Sequence, residues 1–257
     1  MVKLSIIIPA YNEAGRIEKT LISYYTFFSK NIKDFEIIIV PNNCSDNTFE
    51  IVKKFSHSKK NIKIKNITHY VGKGGAIIEG FKIAKGDYIG FTDADNATNA
   101  EAFFELYKNI EDYDGIIASR WIKGAKINRK QPIFRRVASR VFNVFVRILF
   151  GIKLRDTQCG AKLFKKEKLM LVLPELVTTR WAFDVDLLYK FKLKNYKVVE
   201  IATEWTDDPN SKLNIKKASL EMFFAISRLR LIHSPFRFIV DIYDNLANIF
   251  LIINITK

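Results

Sequence analysis

Histidine, cysteine and acidic residues are all in short supply in this chain. Its two cysteines, Cys44 and Cys159, lie far apart with no CxxC or metal-type spacing, and its three histidines, His57, His69 and His233, form no cluster. A histidine zinc site is therefore not expected, and neither cysteine is placed for special chemistry. No leader-like segment opens the sequence, so unpaired thiols in a reducing, cytosolic setting are expected. Long apolar runs are missing too. The nearest approach to a membrane span, Phe236 to Ile253, is interrupted by Asp241, Asp244, Asn245 and Asn248. The acid shortfall is the most informative scarcity: 27 Asp and Glu face 42 Lys and Arg, a formal charge of +15. Such a surplus favours a polyanionic partner, whether nucleic acid, anionic lipid or a phosphate-rich substrate.

What is present suffices for a proper core. With 48% hydrophobic and 27% charged residues over 257 positions, the chain matches one large α/β domain, with or without an appendage. Leu4–Pro9 (LSIIIP) is a continuous apolar run of the kind buried on both faces of a sheet, and Phe35–Val40 (FEIIIV) reads as a second strand. Ile62–Ile67, Asp87–Thr92 and Asp114–Ser119 read as three further strands. Helical spacing falls between them, at Glu13–Phe28, Asp46–Phe55, Lys73–Ala84 and Ala100–Ile110. Strands alternating with helices predict a mostly parallel sheet wrapped on both faces, with ligands at the edge formed by the strands' C-terminal ends.

After Lys123 the character changes. From Pro132 a helix is expected whose Arg136, Arg140, Asn143 and Arg147 fall along one stripe, beside Phe134, Val141, Phe145, Ile148 and Leu149. A cationic stripe next to bulky apolar residues suits the headgroup boundary of an anionic membrane, while an ordinary packed helix with a solvated basic face is the plainer alternative. A second basic and apolar stretch runs from Lys216 to Arg230. Three regions follow from this pattern: 1–130 as the α/β half, 131–232 with the amphipathic interface helices, and 233–257 as an apolar segment touching membrane or partner.

The residues able to carry chemistry sit at strand ends. Asp93 and Asp95, one residue apart where the fourth strand finishes, are spaced to converge on a hard cation, Mg²⁺ or Mn²⁺, leaving positions for diphosphate oxygens. An acidic turn after a strand is also common without any metal. Pro9-Ala10-Tyr11-Asn12-Glu13 and Pro41-Asn42-Asn43-Cys44-Ser45-Asp46 open on the same edge. Tyr11 is suited to supporting a flat base, and Asn42 and Asn43 offer amides to its rim. Gly72-Lys73-Gly74-Gly75 starts a helix whose N–H groups, with Lys73, suit a phosphate, although it is no Walker A loop and a plain flexible turn reads equally well.

Taken in order, IIPAYNE, NNCSDNT, VGKGGAI and DADNAT resemble the family 2 inverting glycosyltransferases with a GT-A nucleotide-sugar fold. Arg155–Phe164 (RDTQCGAKLF), Arg180–Leu188 (RWAFDVDLL), Trp205 with Ser211-Lys212-Leu213, and Arg228-Leu229-Arg230 resemble the dolichyl-phosphate β-glucosyltransferases within it. The likeness covers roughly Lys3 to Phe236. It implies a Rossmann-like α/β fold and places the nucleoside at Pro9, Tyr11, Glu13 and Asn42 or Asn43. By the same likeness Asp93 and Asp95 hold metal and diphosphate, Arg120 binds phosphate, and Ser211 and Lys212 close over the diphosphate. Where the family usually has aspartates in its second loop, this chain has Asn42-Asn43.

The chemistry points the same way. Expelling a nucleoside diphosphate builds charge that a divalent ion, with Lys212, stabilises. A phosphate monoester, with its second pKa near about 6, is already a dianion at neutral pH and needs no general base. It needs cationic positioning, for which Arg120, Arg136 and Arg140 are candidates, with Trp181 as an apolar wall. A hydroxyl acceptor would instead require Asp184 or Asp186 as base. The expectation is transfer of glucose from UDP-glucose to a dolichyl or polyprenyl phosphate. It is placed at the cytoplasmic face of a membrane, with GDP-mannose as the alternative donor. Nucleic acid is not expected as a partner, because the basic residues cluster with aliphatic and aromatic groups and no reader motif is present.

Overall fold

The computed structural model describes residues 2–129, 132–177, 182–207, 215–240 and 242. Strands β1 (Leu4–Ala10), β2 (Phe35–Pro41), β3 (Ile62–Ile64), β4 (Tyr88–Phe91) and β5 (Gly115–Ser119) come from the first half of the chain. After β6 (Lys126–Arg129) come β7 (Lys162–Lys165), β8 (Val198–Ala202) and β9 (Glu204–Thr206). Seven of them form one sheet in the order β3-β2-β1-β4-β7-β5-β8, and β6 pairs with β9 in a small second sheet. β1 and β2 are buried along their whole lengths, as their largely apolar runs require of central parallel strands, and their buried polar members are paired, the Ser5 hydroxyl donating to the Glu36 carboxylate at 2.6 Å.

The expected parallel series is interrupted once. β7 runs antiparallel to both β4 and β5, and it wedges between them. β5 therefore does not sit beside β4 and does not close the series, since β8 adds parallel to its outer edge. Strand ends also differ from expectation. β3 stops at Ile64 and Ile67 makes only an isolated bridge to Asn42, while β4 stops at Phe91.

Helices cover both faces. On one side α1 (Ile17–Asn31), α2 (Thr48–Ser56) and α4 (Ala100–Asn109) enclose a core rich in aromatics, among them Tyr24, Phe28 and Phe103. On the other, α3 (Gly72–Ile83) packs directly on β1 and β2, with α5 (Ile133–Phe150), α6 (Lys166–Val172), α7 (Phe183–Leu193) and α8 (Ile215–Ile232) beyond it. A Cβ at Gly74 would stand 2.5 Å from the Phe183 side chain, so glycine there lets α3 and the start of α7 touch. α5 ends at Gly151, whose φ of 60° reverses the chain, while Lys192 Nζ donates to the Phe150 carbonyl at 2.7 Å.

α5 departs from its expected pattern at one position. Asn143 is not on a solvent stripe. It is buried, and its Oδ1 accepts from the Thr157 N–H at 3.0 Å and the Thr157 hydroxyl at 2.8 Å. Arg140 and Arg147 are exposed and Arg136 half-buried, alongside an apolar face in which Ile133 is 76% and Ile148 74% exposed. Phe145 of α5 meets Phe223 of α8 edge to face, extending that apolar surface onto the second helix. Among the described residues no helix is long and apolar enough to cross a membrane.

Candidate active site

The site grows from the C-terminal ends of β1, β2 and β4. The turn after β4 places Asp93 and Asp95 half-exposed, with Ala94 between them 4% exposed and facing the core. Both carboxylates belong to this turn, close enough that the charge of Asp93 bears on Asp95. The Asp95 carboxylate accepts from the Ala97 N–H at 3.0 Å, and Asn96 takes a left-handed φ of 56° to allow it.

Cations surround this pair. Lys73, at the start of α3, lies 2.5 Å from Asp93 with its side chain 40% exposed. Burial opposes the Lys73 charge, but Asp93, Asp184 and Asp95 outweigh it and hold its ammonium above the usual lysine range. Burial likewise opposes the Asp93 charge, yet Lys73, Lys162 and Arg120 hold that carboxyl below its ordinary value. Asp95 behaves oppositely: burial first, then the charge of Asp93, push it up to about 6. Two carboxylates that repel each other at a solvent-reaching edge fit a hard divalent cation, which would relieve the repulsion and keep places for phosphate oxygens and water. Among the described residues no group of three or more His, Cys, Asp or Glu is placed to hold a metal.

The loops after β1 and β2 are locked to each other. Asn12 accepts from the Ser45 N–H at 2.8 Å, Asp46 accepts from the Ala14 N–H at 3.0 Å, and the Glu13 N–H donates to Thr48 Oγ1 at 2.7 Å. Tyr11 stands 50% exposed, edge-on to Tyr70 at 5.3 Å, and Tyr70 was not singled out from sequence because no periodicity marks it. Pro9 is buried within β1 opposite Val40, so it fixes where the strand gives way to this loop. The Glu13 carboxylate is paired with Arg16. Asn43 is exposed at a φ of 51°.

Asn42 is a correction. Its amide is not turned to a base edge: Nδ2 donates to the Gly72 carbonyl at 3.2 Å and Oδ1 accepts from the Val71 N–H at 3.0 Å. With both ends occupied and the residue 2% exposed, Asn42 clamps the start of α3 and thereby seats Lys73.

Arg120 is likewise committed. Its Nε and Nη2 both lie 2.8 Å from the Asp156 carboxylate, which also takes the Arg120 N–H at 2.9 Å. Arg140 stacks on Trp121 at 4.9 Å, and Arg120 lies against Trp121 and Trp205 at 5.6 and 5.3 Å. Asp184 forms a buried ion pair with Lys162, whose ammonium also donates to the Cys159 carbonyl at 2.7 Å. Asp186 is fully buried, accepts from the Val177 N–H at 2.8 Å and lies 3.6 Å from His233 Nε2. Trp181, Ser211 and Lys212 lie outside the described residues.

Gly160 was missed as a site residue, though it stands in the quoted motif. A Cβ there would lie 2.0 Å from Asp93 Oδ2, so only glycine leaves room for that carboxylate.

Residues 5–172 match the family model described as glycosyl transferase family 2. The chain belongs to glycosyl transferase family 2. It is 32% identical over 253 residues to the dolichyl-phosphate beta-glucosyltransferase of Dictyostelium discoideum, covering 93% of this chain and 76% of that protein. It is 31% identical over 231 residues to glycosyltransferase AglD of Haloferax volcanii, covering 88% of this chain but 37% of that longer protein. Its fold is similar to that of glucosyl-3-phosphoglycerate synthase from Mycobacterium tuberculosis, solved with Mn²⁺, UDP and glucosyl-3-phosphoglycerate. That match has a TM-score of 0.62 at 14% identity and covers 90% of this chain and 79% of the synthase. The family 2 chain is therefore a glycosyltransferase of α/β, GT-A-like architecture, with the acidic pair at the sheet edge where such folds bind ligands.

Proposed function

We propose that this chain transfers glucose from UDP-glucose to a dolichyl or polyprenyl phosphate, using Mg²⁺ or Mn²⁺ at Asp93 and Asp95, at a membrane surface. The observation that carries the acceptor class is the buried Lys162–Asp184 pair. Asp184, one of the two carboxylates that a hydroxyl acceptor would need as a base, serves here as counter-ion to a buried lysine. An acceptor that arrives ionised, a phosphate monoester, has no need of it. The names of the relatives support the same acceptor and sugar, among them the dolichyl-phosphate beta-glucosyltransferases of Dictyostelium and human.

Asp93 and Asp95 would hold the cation, which when bound neutralises charge on the departing diphosphate. Lys73 adds a fixed positive charge beside it, held in place by the Asn42 clamp on its helix. Tyr11 and Tyr70 offer aromatic surface to the donor's base. Arg136 and Arg140 supply charge for the acceptor, and Lys212, next to Ser211 in the sequence, supplies it for the diphosphate. The exposed apolar face of α5, edged by Arg136, Arg140 and Arg147, lies against anionic lipid, each basic residue adding about 1 kcal/mol. The cytoplasmic leaflet, which carries the anionic lipids, is the face it meets.

The test is transfer by the purified full chain from a panel of nucleotide sugars to a short polyprenyl phosphate, with and without chelator. Glucose transfer from UDP-glucose that stops on chelation is expected. Transfer only to saccharide hydroxyls, or full activity in chelator, would refute the acceptor or the metal.

A further inference from the structure

The loop between α5 and β7 gathers the parts of the site. Asp156 grips Arg120, Thr157 is tied to Asn143 on α5, the Cys159 carbonyl receives Lys162, and Gly160 lies against Asp93. Gln158 stands in the middle of this run, and its Nε2 is buried without a hydrogen-bond partner. Trp121, whose ring lies 5.6 Å from the Arg120 guanidinium, holds its indole Nε1 in the same condition. Arg120 spends Nε, Nη2 and its backbone N–H on Asp156, and its Nη1 makes no protein hydrogen bond among the described residues.

A buried N–H with no acceptor is uncommon in a folded protein, because it has given up water and received nothing in exchange. Here two border one buried ion pair inside the site. What they lack is an acceptor from outside the chain. Trp121 Nε1 and Arg120 Nη1 can only donate, Gln158 leaves its Nε2 donor unmet, and the acid among them, Asp156, is already neutralised by Arg120. The complementary ligand is an oxygen-rich anion, and of the substrate's groups the phosphates answer that description.

We propose that Gln158 and Trp121, with Nη1 of Arg120, form a subsite that donates hydrogen bonds to phosphate oxygens of the substrate. The subsite rests on the phosphate-acceptor, nucleotide-donor reading given above, and it names residues that reading does not use. The oxygens come from the acceptor's monoester or from the donor's diphosphate. Gln158, placed between the residue touching Asp93 and the residue holding Arg120, is positioned for either.

The experiment uses the full chain with Gln158→Met and, separately, Trp121→Phe. Methionine keeps the length of the side chain, and phenylalanine keeps an aromatic face for both guanidinium groups. Because each change deletes a donor with no partner inside the protein, the unliganded variants are expected to melt at the wild-type temperature or above it. Titration calorimetry then measures UDP and a water-soluble short polyprenyl phosphate in separate experiments. A loss of about tenfold to a hundredfold in affinity is expected for one of them, the range for one hydrogen bond to a charged group. Weakening confined to the polyprenyl phosphate assigns the subsite to the acceptor, and weakening confined to UDP assigns it to the donor. Unchanged affinity for both ligands in both variants overturns the proposal while leaving the transferase reading intact. A lowered melting temperature in both unliganded variants also overturns it, since it would reveal a partner within the fold. Wild-type protein that binds neither ligand removes the reading beneath the subsite, and the subsite with it.

Discussion

Replacing Gly160 with alanine adds a single methyl group at the most crowded point of the site. That carbon would stand 2.0 Å from Asp93 Oδ2, 2.5 Å from its Cγ and 3.2 Å from Oδ1. Ordinary contact begins near about 3.4 Å, so the carboxylate must retreat by roughly 1.4 Å or rotate away. Backbone strain does not complicate the experiment, because Gly160 is not among the glycines at positive φ. The displaced group belongs to a flexible, half-exposed side chain, so the fold should lose no more than about 1–2 kcal/mol. Geometry at a reacting centre tolerates about 0.5 Å, and a misplacement of about 1 Å costs on the order of a hundredfold. The expected result is a kcat reduced by about a hundredfold or more, with a cooperative melt close to wild type. Manganese affinity, read by electron paramagnetic resonance of the free ion, should fall in parallel. A variant with wild-type manganese affinity and turnover would refute the claim that glycine exists here to seat Asp93.

Three further outcomes follow from the same contacts. Asp95→Asn should reduce transfer by at least about a hundredfold while the protein stays folded. Because the folded Asp95 titrates near about 6 rather than at the lower value of an unfolded chain, its ionisation weakens the fold as pH rises through that interval. The asparagine variant should therefore gain melting temperature relative to wild type between about pH 4 and pH 6, and a constant difference would contradict the burial of that charge. Lys162→Met alone leaves Asp184 buried without its counter-ion and should cost about 3–5 kcal/mol in urea unfolding. Lys162→Met with Asp184→Leu should recover most of that loss, and a double variant as unstable as the single would reject the pair as the cause. Arg136→Glu with Arg147→Glu should weaken sedimentation with anionic vesicles by roughly thirtyfold and leave UDP binding unchanged, at about 1 kcal/mol per basic residue removed. Unaltered sedimentation would show that α5 does not meet the membrane.

The two central strands were legible from their runs of isoleucine and valine, while the buried Ser5 and Glu36 within them find each other only across the sheet, 31 positions apart. The acidic pair was visible in the sequence only as a spacing, and the structure sets it in the turn after Phe91, with Ala94 tucked inward. β7 escaped notice because Lys162-Leu163-Phe164-Lys165 has lysines at both ends, and Lys162 is wholly buried only because Asp184 reaches it from α7. No local pattern encodes that meeting. Asn42 and Asn143 were misjudged for a common reason: each amide is consumed by backbone or hydroxyl groups that the fold brings from a distant segment. Arg120 was read as a phosphate ligand without its partner, since Asp156 lies 36 positions away in sequence. Gly160 is the sharpest instance, because a residue without a side chain gives no chemical signal until its neighbour's carboxylate is in view.

The antiparallel β7 has a consequence for the order in which the molecule is built. Strands β1 to β4 can pair as soon as they leave the ribosome, yet β5 has no neighbour on that side until Lys162–Lys165 arrives to bridge the gap. The same segment brings Gly160 and Lys162 up against the acidic turn. Assembly of the catalytic edge and stitching of the two halves of the sheet are thus one event. A nascent chain that stalls before it carries an exposed strand edge beside Phe91 and no working centre.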